Sequence, residues 1–180
     1  MSLPLPKHPG YTLDDWRTWE GRWELINGVA YDMTPAPNLE HQRVSFRLGN
    51  MIFNALEAGK NQSGGECEAF AAPVDVFLGE TVVQPDLVVV CDPAKKSERG
   101  IEGAPDLVVE ILSLRTAGKD NTRKRWLYEA AGVTEYLIVD PDERVGVLLR
   151  LEGGLYVEAA HLEWGATVAL LGGKLTVQLG

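Results

Sequence analysis

Apolar residues recur along this chain with two periods, and the switches between them divide it into elements. Val44, Leu48, Met51, Ile52, Ala55 and Leu56 fall at helical spacing and predict an amphipathic helix from about Asn38 to Ala58. Ahead of it, Thr12 followed by Asp15 forms a capping-box start, with Asp in place of Glu, for a short helix through Trp16 and Trp19. RWELI and VAYDM read as the arms of a β-hairpin, because Asn27-Gly28 between them supplies the two positive-φ positions of a type I′ turn. After the breaker cluster NQSGG, strands are predicted around Ala69–Leu78, Val82–Val90 and Leu107–Leu112, with Gly79-Glu80 turning the first into the second. A second helix follows from about Thr116 to Ala131 and is closed by Gly132. EYLIVDP is then a short buried strand ended by Pro141, and the remainder from Val145 to Gly180 alternates β-type runs with Gly-Gly turns. The pattern predicts one α/β (or α+β) domain over residues 1–180, a mixed sheet flanked by helices with a β-rich C-terminal section.

Three acids interrupt the apolar strands. PDLVV occurs twice, at Pro85 and at Pro105, and the second copy runs into Glu110 where another valine would be expected. Asp106 follows Pro105 directly, at a strand entrance where a carboxylate stays hydrated or caps amides. Glu110 lies deeper, between Val109 and Ile111, and Asp86 is similarly enclosed by Val82-Val83 and Leu87–Val90. Burying an unpaired carboxylate costs several kcal/mol, so each such acid needs a partner or a raised pKa. Two acids on neighbouring strands relieve each other by sharing a divalent cation, or else each pairs with a base or lies on a solvated face.

Composition limits the setting. At 180 residues and 45% hydrophobic, the chain can bury a core without a staple, so Cys67 and Cys91 read as reduced thiols in a cytoplasmic protein. No signal-like segment and no stretch of membrane-spanning length is present, and no membrane partner is expected. The net charge of −9 argues against nonspecific coating of nucleic acid. The bases are nonetheless clustered, in KKSER from Lys95 and in RTAGKDNTRKR from Arg115 to Arg125. Such runs are either solvated faces or a side from which an anionic ligand approaches.

The ordered set of WELING, EHQ, VVQPD, APDLVVEILS, a basic helix and GVTEYLIVDP resembles the Uma-two family, restriction-endonuclease-like proteins of the PD-(D/E)XK nuclease superfamily. The likeness runs from Tyr11 to about Leu170. It implies a central mixed sheet with helices on both sides and an edge cluster of carboxylates that binds Mg²⁺ or Mn²⁺. Carried over by residue, Asp86 matches the metal-binding aspartate and Glu110 the second acid, with the Ile111 carbonyl as a further ligand. The superfamily lysine belongs two positions after that acid, where this chain has Leu112. The resemblance implies a substitute lysine on the following helix, for which Lys124 is the candidate. The helical spacing of Lys124, Leu127 and Ala131 on one inward stripe supports that choice. Glu24 matches the family's acid in its Glu-Leu-Ile segment and joins the catalytic set. His41 and Gln84 are candidates for holding phosphate or water, and Arg123 and Arg125 for the nucleic-acid backbone.

The resemblance therefore implies a metal-dependent endonuclease acting on nucleic acid, DNA first, and a homodimer would suit cutting two strands. Two rivals stand beside it. One is a nucleic-acid-binding module that keeps the fold without turnover, favoured by the absent lysine beside Glu110. The other is a structural protein whose acids are only ion-paired, favoured by the acidic charge.

Overall fold

The computed structural model describes residues 10–34, 37–63, 67–113 and 120–180, without the side chains of 60–63, 120 and 121. Its elements are α1 (Leu13–Trp16), β1 (Trp23–Ile26), β2 (Val29–Asp32), α2 (Leu39–Ser63), β3 (Glu68–Ala71), β4 (Val76–Leu78), β5 (Thr81–Val83), β6 (Leu87–Val90), β7 (Lys96–Ser97), β8 (Gly100–Glu102), β9 (Leu107–Ile111), α3 (Asp120–Ala131), β10 (Glu135–Asp140), β11 (Val145–Glu152), β12 (Leu155–Glu163), β13 (Thr167–Leu170) and β14 (Leu175–Gln178). The expected start of the second helix at Thr116, with Arg115 and Lys119, lies outside the described residues.

Local chemistry accounts for the first elements. Thr12 and Asp15 form a reciprocal capping box at α1, the Asp15 N–H donating to Thr12 Oγ1 at 3.2 Å and the Thr12 N–H to Asp15 Oδ2 at 2.8 Å. Asn27 and Gly28 adopt φ of 51° and 77°, as a type I′ hairpin turn requires.

The mixed α/β class is as expected, but the strands form two six-stranded sheets where one was expected. Sheet one has the order β2-β1-β5-β4-β8-β7, sheet two the order β12-β11-β10-β9-β6-β3, and β13-β14 is a separate hairpin. Each sheet is mixed, β4 running parallel to β8 and β9 to β10. Prolines cause the division. The run expected from Ala69 to Leu78 breaks at Pro73, and the run from Val82 to Val90 breaks at Pro85. Proline has no N–H to give a ladder and restricts the residue before it, so at each break the chain leaves one sheet for the other. Gln84-Pro85-Asp86 is thus a crossing segment between β5 in sheet one and β6 in sheet two.

Sheet two has two apolar faces. Leu87, Val89, Leu107, Val109 and Ile111 pack on Val44, Leu48 and Ile52 of α2 and on the β13–β14 hairpin. Val88, Val90, Val108 and Tyr136 face the other way, against Tyr128 of α3 and against Ile26, Val76 and Val83 of sheet one. α1, through Trp16, and the segment after it, through Trp19, close the outside of sheet one over Leu25, Phe77 and Val82. The candidate acids of β1, β9 and the crossing segment therefore lie at the seam between the two sheets.

Cys67 and Cys91 are joined by a disulfide, which corrects the reading of two reduced thiols. The antiparallel register of β3 with β6 explains it. Glu68 opposes Val90, so the next residue outward on each strand, Cys67 and Cys91, comes face to face. Their sequence separation of 24 concealed that adjacency.

Gly100 is the tightest backbone approach near the seam. Its φ is 141°, and an added Cβ would lie 2.2 Å from the Asp75 carbonyl oxygen. Gly100→Ala is expected to destabilise the fold by about 2–3 kcal/mol, read as a lower urea midpoint with unchanged slope. Wild-type stability in that variant would mean that the β4–β8 contact gives way freely.

Candidate active site

Glu110 sits in β9 on the face shared with Val108, and Asp86 ends the crossing segment just before β6. Leu87 pairs with Val109 and Val88 with Val108, so Asp86, one residue before that ladder, comes beside the Glu110–Ile111 end of β9, where its Oδ2 accepts the Ile111 N–H. Asp86 is reached from α2 by His41, and Glu110 from α3 by Lys124 and Tyr128. Pro85 interrupts the chain just before β6, and Asp86 and Glu110 are 15% and 12% exposed within an otherwise buried seam.

Each acid is held by one oxygen. Asp86 Oδ2 accepts the Ile111 N–H at 2.7 Å and shares a hydrogen bond with His41 Nε2 at 3.1 Å. Glu110 Oε1 accepts Lys124 Nζ at 3.0 Å and the Tyr128 hydroxyl at 2.7 Å. Lys124, which is buried, also donates to Glu24 Oε1 at 2.9 Å. Glu24 itself is 1% exposed and accepts the Gln84 N–H at 2.8 Å. β1 supplies Glu24, β9 supplies Glu110 and α3 supplies Lys124, and the ammonium joins the two sheets through their carboxylates.

Helix geometry explains the lysine. Lys124 and Tyr128 are one turn apart, both buried, and both end on Glu110 Oε1. Burial pushes the Glu110 carboxyl up; the Lys124 charge opposes this, the Asp86 and Glu24 charges add to it, the Tyr128 hydrogen bond opposes it, and the result is about 7. Burial and the Glu110 charge hold the Tyr128 phenol well above its ordinary value of 10.0, so it remains a donor.

A stability signature follows. The folded value of about 7 lies above the ordinary 4.5, so the folded chain binds this proton more tightly than the unfolded chain. The contribution is complete below about 4.5 and is lost as pH rises through about 7. Urea unfolding in a chelating buffer should show stability falling by on the order of 2 kcal/mol between about pH 5 and pH 8, with that step missing in Glu110→Gln. An equal fall in both proteins would place the proton on another group.

The other expected residues are distributed around this centre. His41, in the first turn of α2, is buried, and its Nδ1 has no hydrogen-bond partner among the described residues. The Gln84 side chain links Arg22, whose Nε donates to Gln84 Oε1 at 3.1 Å, to Asp75, whose Oδ1 accepts Gln84 Nε2 at 2.8 Å. Arg123 lies over the Tyr31 ring at 4.7 Å, and exposed Arg125 reaches the Tyr156 carbonyl at 3.4 Å. Asp106 stands apart, accepting the Cys91 N–H at 2.7 Å as a strand-entrance cap. The bases of KKSER are engaged locally, Lys95 with the Ala104 carbonyl, Lys96 with Glu68 and Arg99 with Glu102.

Tyr128, Arg22 and Asp75 were not anticipated. Tyr128 carried a readable signal, its spacing of one turn from Lys124. Arg22 and Asp75 carried none, because their meeting at Gln84 depends on the crossing between sheets.

The donor set suits a hard divalent cation. Asp86 and Glu110 each commit one oxygen to protein donors, which leaves Asp86 Oδ1 and Glu110 Oε2 without a hydrogen bond among the described residues. Two nearby carboxylate charges, one of which raises the pKa of the other, are relieved by a cation between them. Among the described residues no three His, Cys, Asp or Glu side chains form a complete ligand group.

A family model described as "Uma2: Putative restriction endonuclease" matches residues 12–178. The chain belongs to the Uma2 family. A solved structure with the same fold is the "putative nuclease belonging to DUF820" from Anabaena variabilis ATCC 29413, with a TM-score of 0.74 and 20% identity over 93% of this chain and 94% of that one. No curated protein matches the chain. The Uma2 match thus bears out the resemblance carried by the sequence motifs. Among the described residues no helix is long and apolar enough to cross a membrane.

Proposed function

We propose that this Uma2 chain is a divalent-cation-dependent endonuclease that hydrolyses phosphodiester bonds in DNA. The observation that supports it most is the buried Lys124 ammonium bridging Glu110 and Glu24, with Asp86 held by the Ile111 N–H at the same end of β9. Asp86, Glu110 and the Ile111 carbonyl would hold Mg²⁺ or Mn²⁺. When bound, such an ion supplies a water acidic enough to act near neutral pH and offsets charge on the phosphate.

The chain's own groups have separate tasks. Tyr128 and Lys124 fix one oxygen of Glu110, which keeps the other directed to the ion. His41 and the Ile111 N–H do the same for Asp86, which makes His41 a positioning residue. Lys124, steadied by Glu24, stabilises charge that develops on the phosphoryl oxygens. Gln84 acts through Arg22: it fixes the guanidinium by Nε, and the Arg22 Nη groups, unbonded among the described residues, remain to take a phosphate oxygen. Arg123 and Arg125 extend the cationic side along α3 towards the backbone.

The test is cleavage of supercoiled, linear and single-stranded DNA, and of RNA, by the purified chain with Mg²⁺ or Mn²⁺. Metal-dependent nicking by wild type and none by Asp86→Asn is expected. Arg22→Ala should weaken DNA binding about tenfold and lower the salt dependence of binding by about one phosphate contact. An Arg22→Ala protein with unchanged salt slope would remove Arg22 from the substrate. The commitment of Lys124 to two carboxylates favours one rival, a binding module without turnover. That reading requires salt-dependent DNA binding and no cleavage with either ion.

A further inference from the structure

We infer that the outward face of α2 is where two copies of this chain meet, with their α2 helices antiparallel about a two-fold axis near the helix middle. The inference goes beyond the cleavage reading and does not depend on it. α2 is apolar on two opposite sides. Val44, Leu48 and Ile52 face the core, whereas Leu39, Phe46 and Phe53 are 82%, 74% and 53% exposed. The exposed three are spaced by seven, so they form one stripe about 21 Å long at 1.5 Å per residue. A helix apolar on both sides is normally covered on both, and a large exposed apolar stripe rimmed by polar residues marks an association surface.

The charges beside the stripe favour a second copy as the occupant. Arg43 and Arg47 lie towards the start of α2 and Glu57 towards its end, with Glu40 beside Arg43. With Lys60, the acids and bases of α2 nearly balance, at +1, in a chain whose net charge is −9. Two copies can therefore approach here without the repulsion the remaining surface would impose. Antiparallel packing makes the stripe self-complementary. Phe46 then lies against Phe53 of the partner subunit, and Arg43 comes beside Glu57 of the partner subunit, each contact occurring twice. Aromatic pairs at the centre with charged residues at the rim are the usual anatomy of such an interface. The helix that carries His41 would then join the two carboxylate clusters within one particle.

Sedimentation equilibrium of the full chain tests this. Wild type is expected to be a dimer with micromolar dissociation. Phe46→Asp combined with Phe53→Asp should be monomeric, with the melting temperature of wild type diluted below its dissociation constant, because both side chains are exposed. Arg43→Glu alone and Glu57→Arg alone should each weaken the dimer at least tenfold, since each places like charges opposite one another twice. Mixing those two variants should restore the wild-type affinity, because the heterodimer regains both opposite-charge pairs. A wild-type monomer at about 100 µM, a dimer that survives both phenylalanine changes, or a mixture that stays monomeric would overturn the proposal.

Discussion

Lys124→Ala is expected to reduce DNA cleavage by at least about a thousandfold while leaving metal binding nearly intact. Lys124 is the cation between two carboxylates of the seam, and it is not itself a donor to a metal ion. Its loss removes the group that stabilises charge on the phosphoryl oxygens. The same substitution leaves Glu24, 1% exposed, and Glu110, 12% exposed, with no lysine between them. Breaking a buried ion pair by removing one partner costs about 3–5 kcal/mol, so the metal-free variant should unfold at a clearly lower urea concentration. Added Mg²⁺ should recover part of that loss, because an ion offsets the same charges. Turnover must therefore be compared at equal folded fraction and saturating metal. Lys124→Ala cleaving at the wild-type rate under those conditions would take lysine out of the mechanism. Glu24→Gln provides a control: it should lower the rate less, since Lys124 keeps its bond to Glu110.

Millimolar Mg²⁺ or Mn²⁺ is expected to raise the wild-type melting temperature by about 5–10 °C. An ion that binds only the folded chain at a hundred times its dissociation constant adds about 2.7 kcal/mol. For a chain of this size each kcal/mol corresponds to about 2–4 °C. Asp86→Asn should lose most of this response, and isothermal titration should show the matching loss of affinity. The proton linkage has the opposite sign. Glu110 is pushed up to about 7 without metal, so the ion must displace a proton from it below that pH. The melting shift should therefore grow as pH rises from about 6 to about 8. A full response in Asp86→Asn would move the ion away from the β6–β9 junction, and no response in wild type would end the metal reading.

Much of this protein was legible along the chain because the signals were local. The Thr12–Asp15 capping box, the Asn27-Gly28 turn and the long apolar stripe of α2 each depend on contacts within a few residues. The acids Asp86 and Glu110 stood out because they interrupt runs of valine and leucine, and Lys124 because helical spacing turned it inward. What no local pattern carried was the path of the chain between sheets. The predicted strands run through Pro73 and Pro85, and nothing local marks these prolines as the points where one sheet is exchanged for another. That exchange brings Glu24 from β1 to Lys124, a separation of 100 residues, and sets Arg22 and Asp75 on either side of Gln84. The disulfide was hidden for the same reason, since Cys67 and Cys91 are neighbours only through the β3–β6 register. Periodicity determines which face of an element is buried. Only the register between elements decides which buried groups meet, and here that register makes the carboxylate seam.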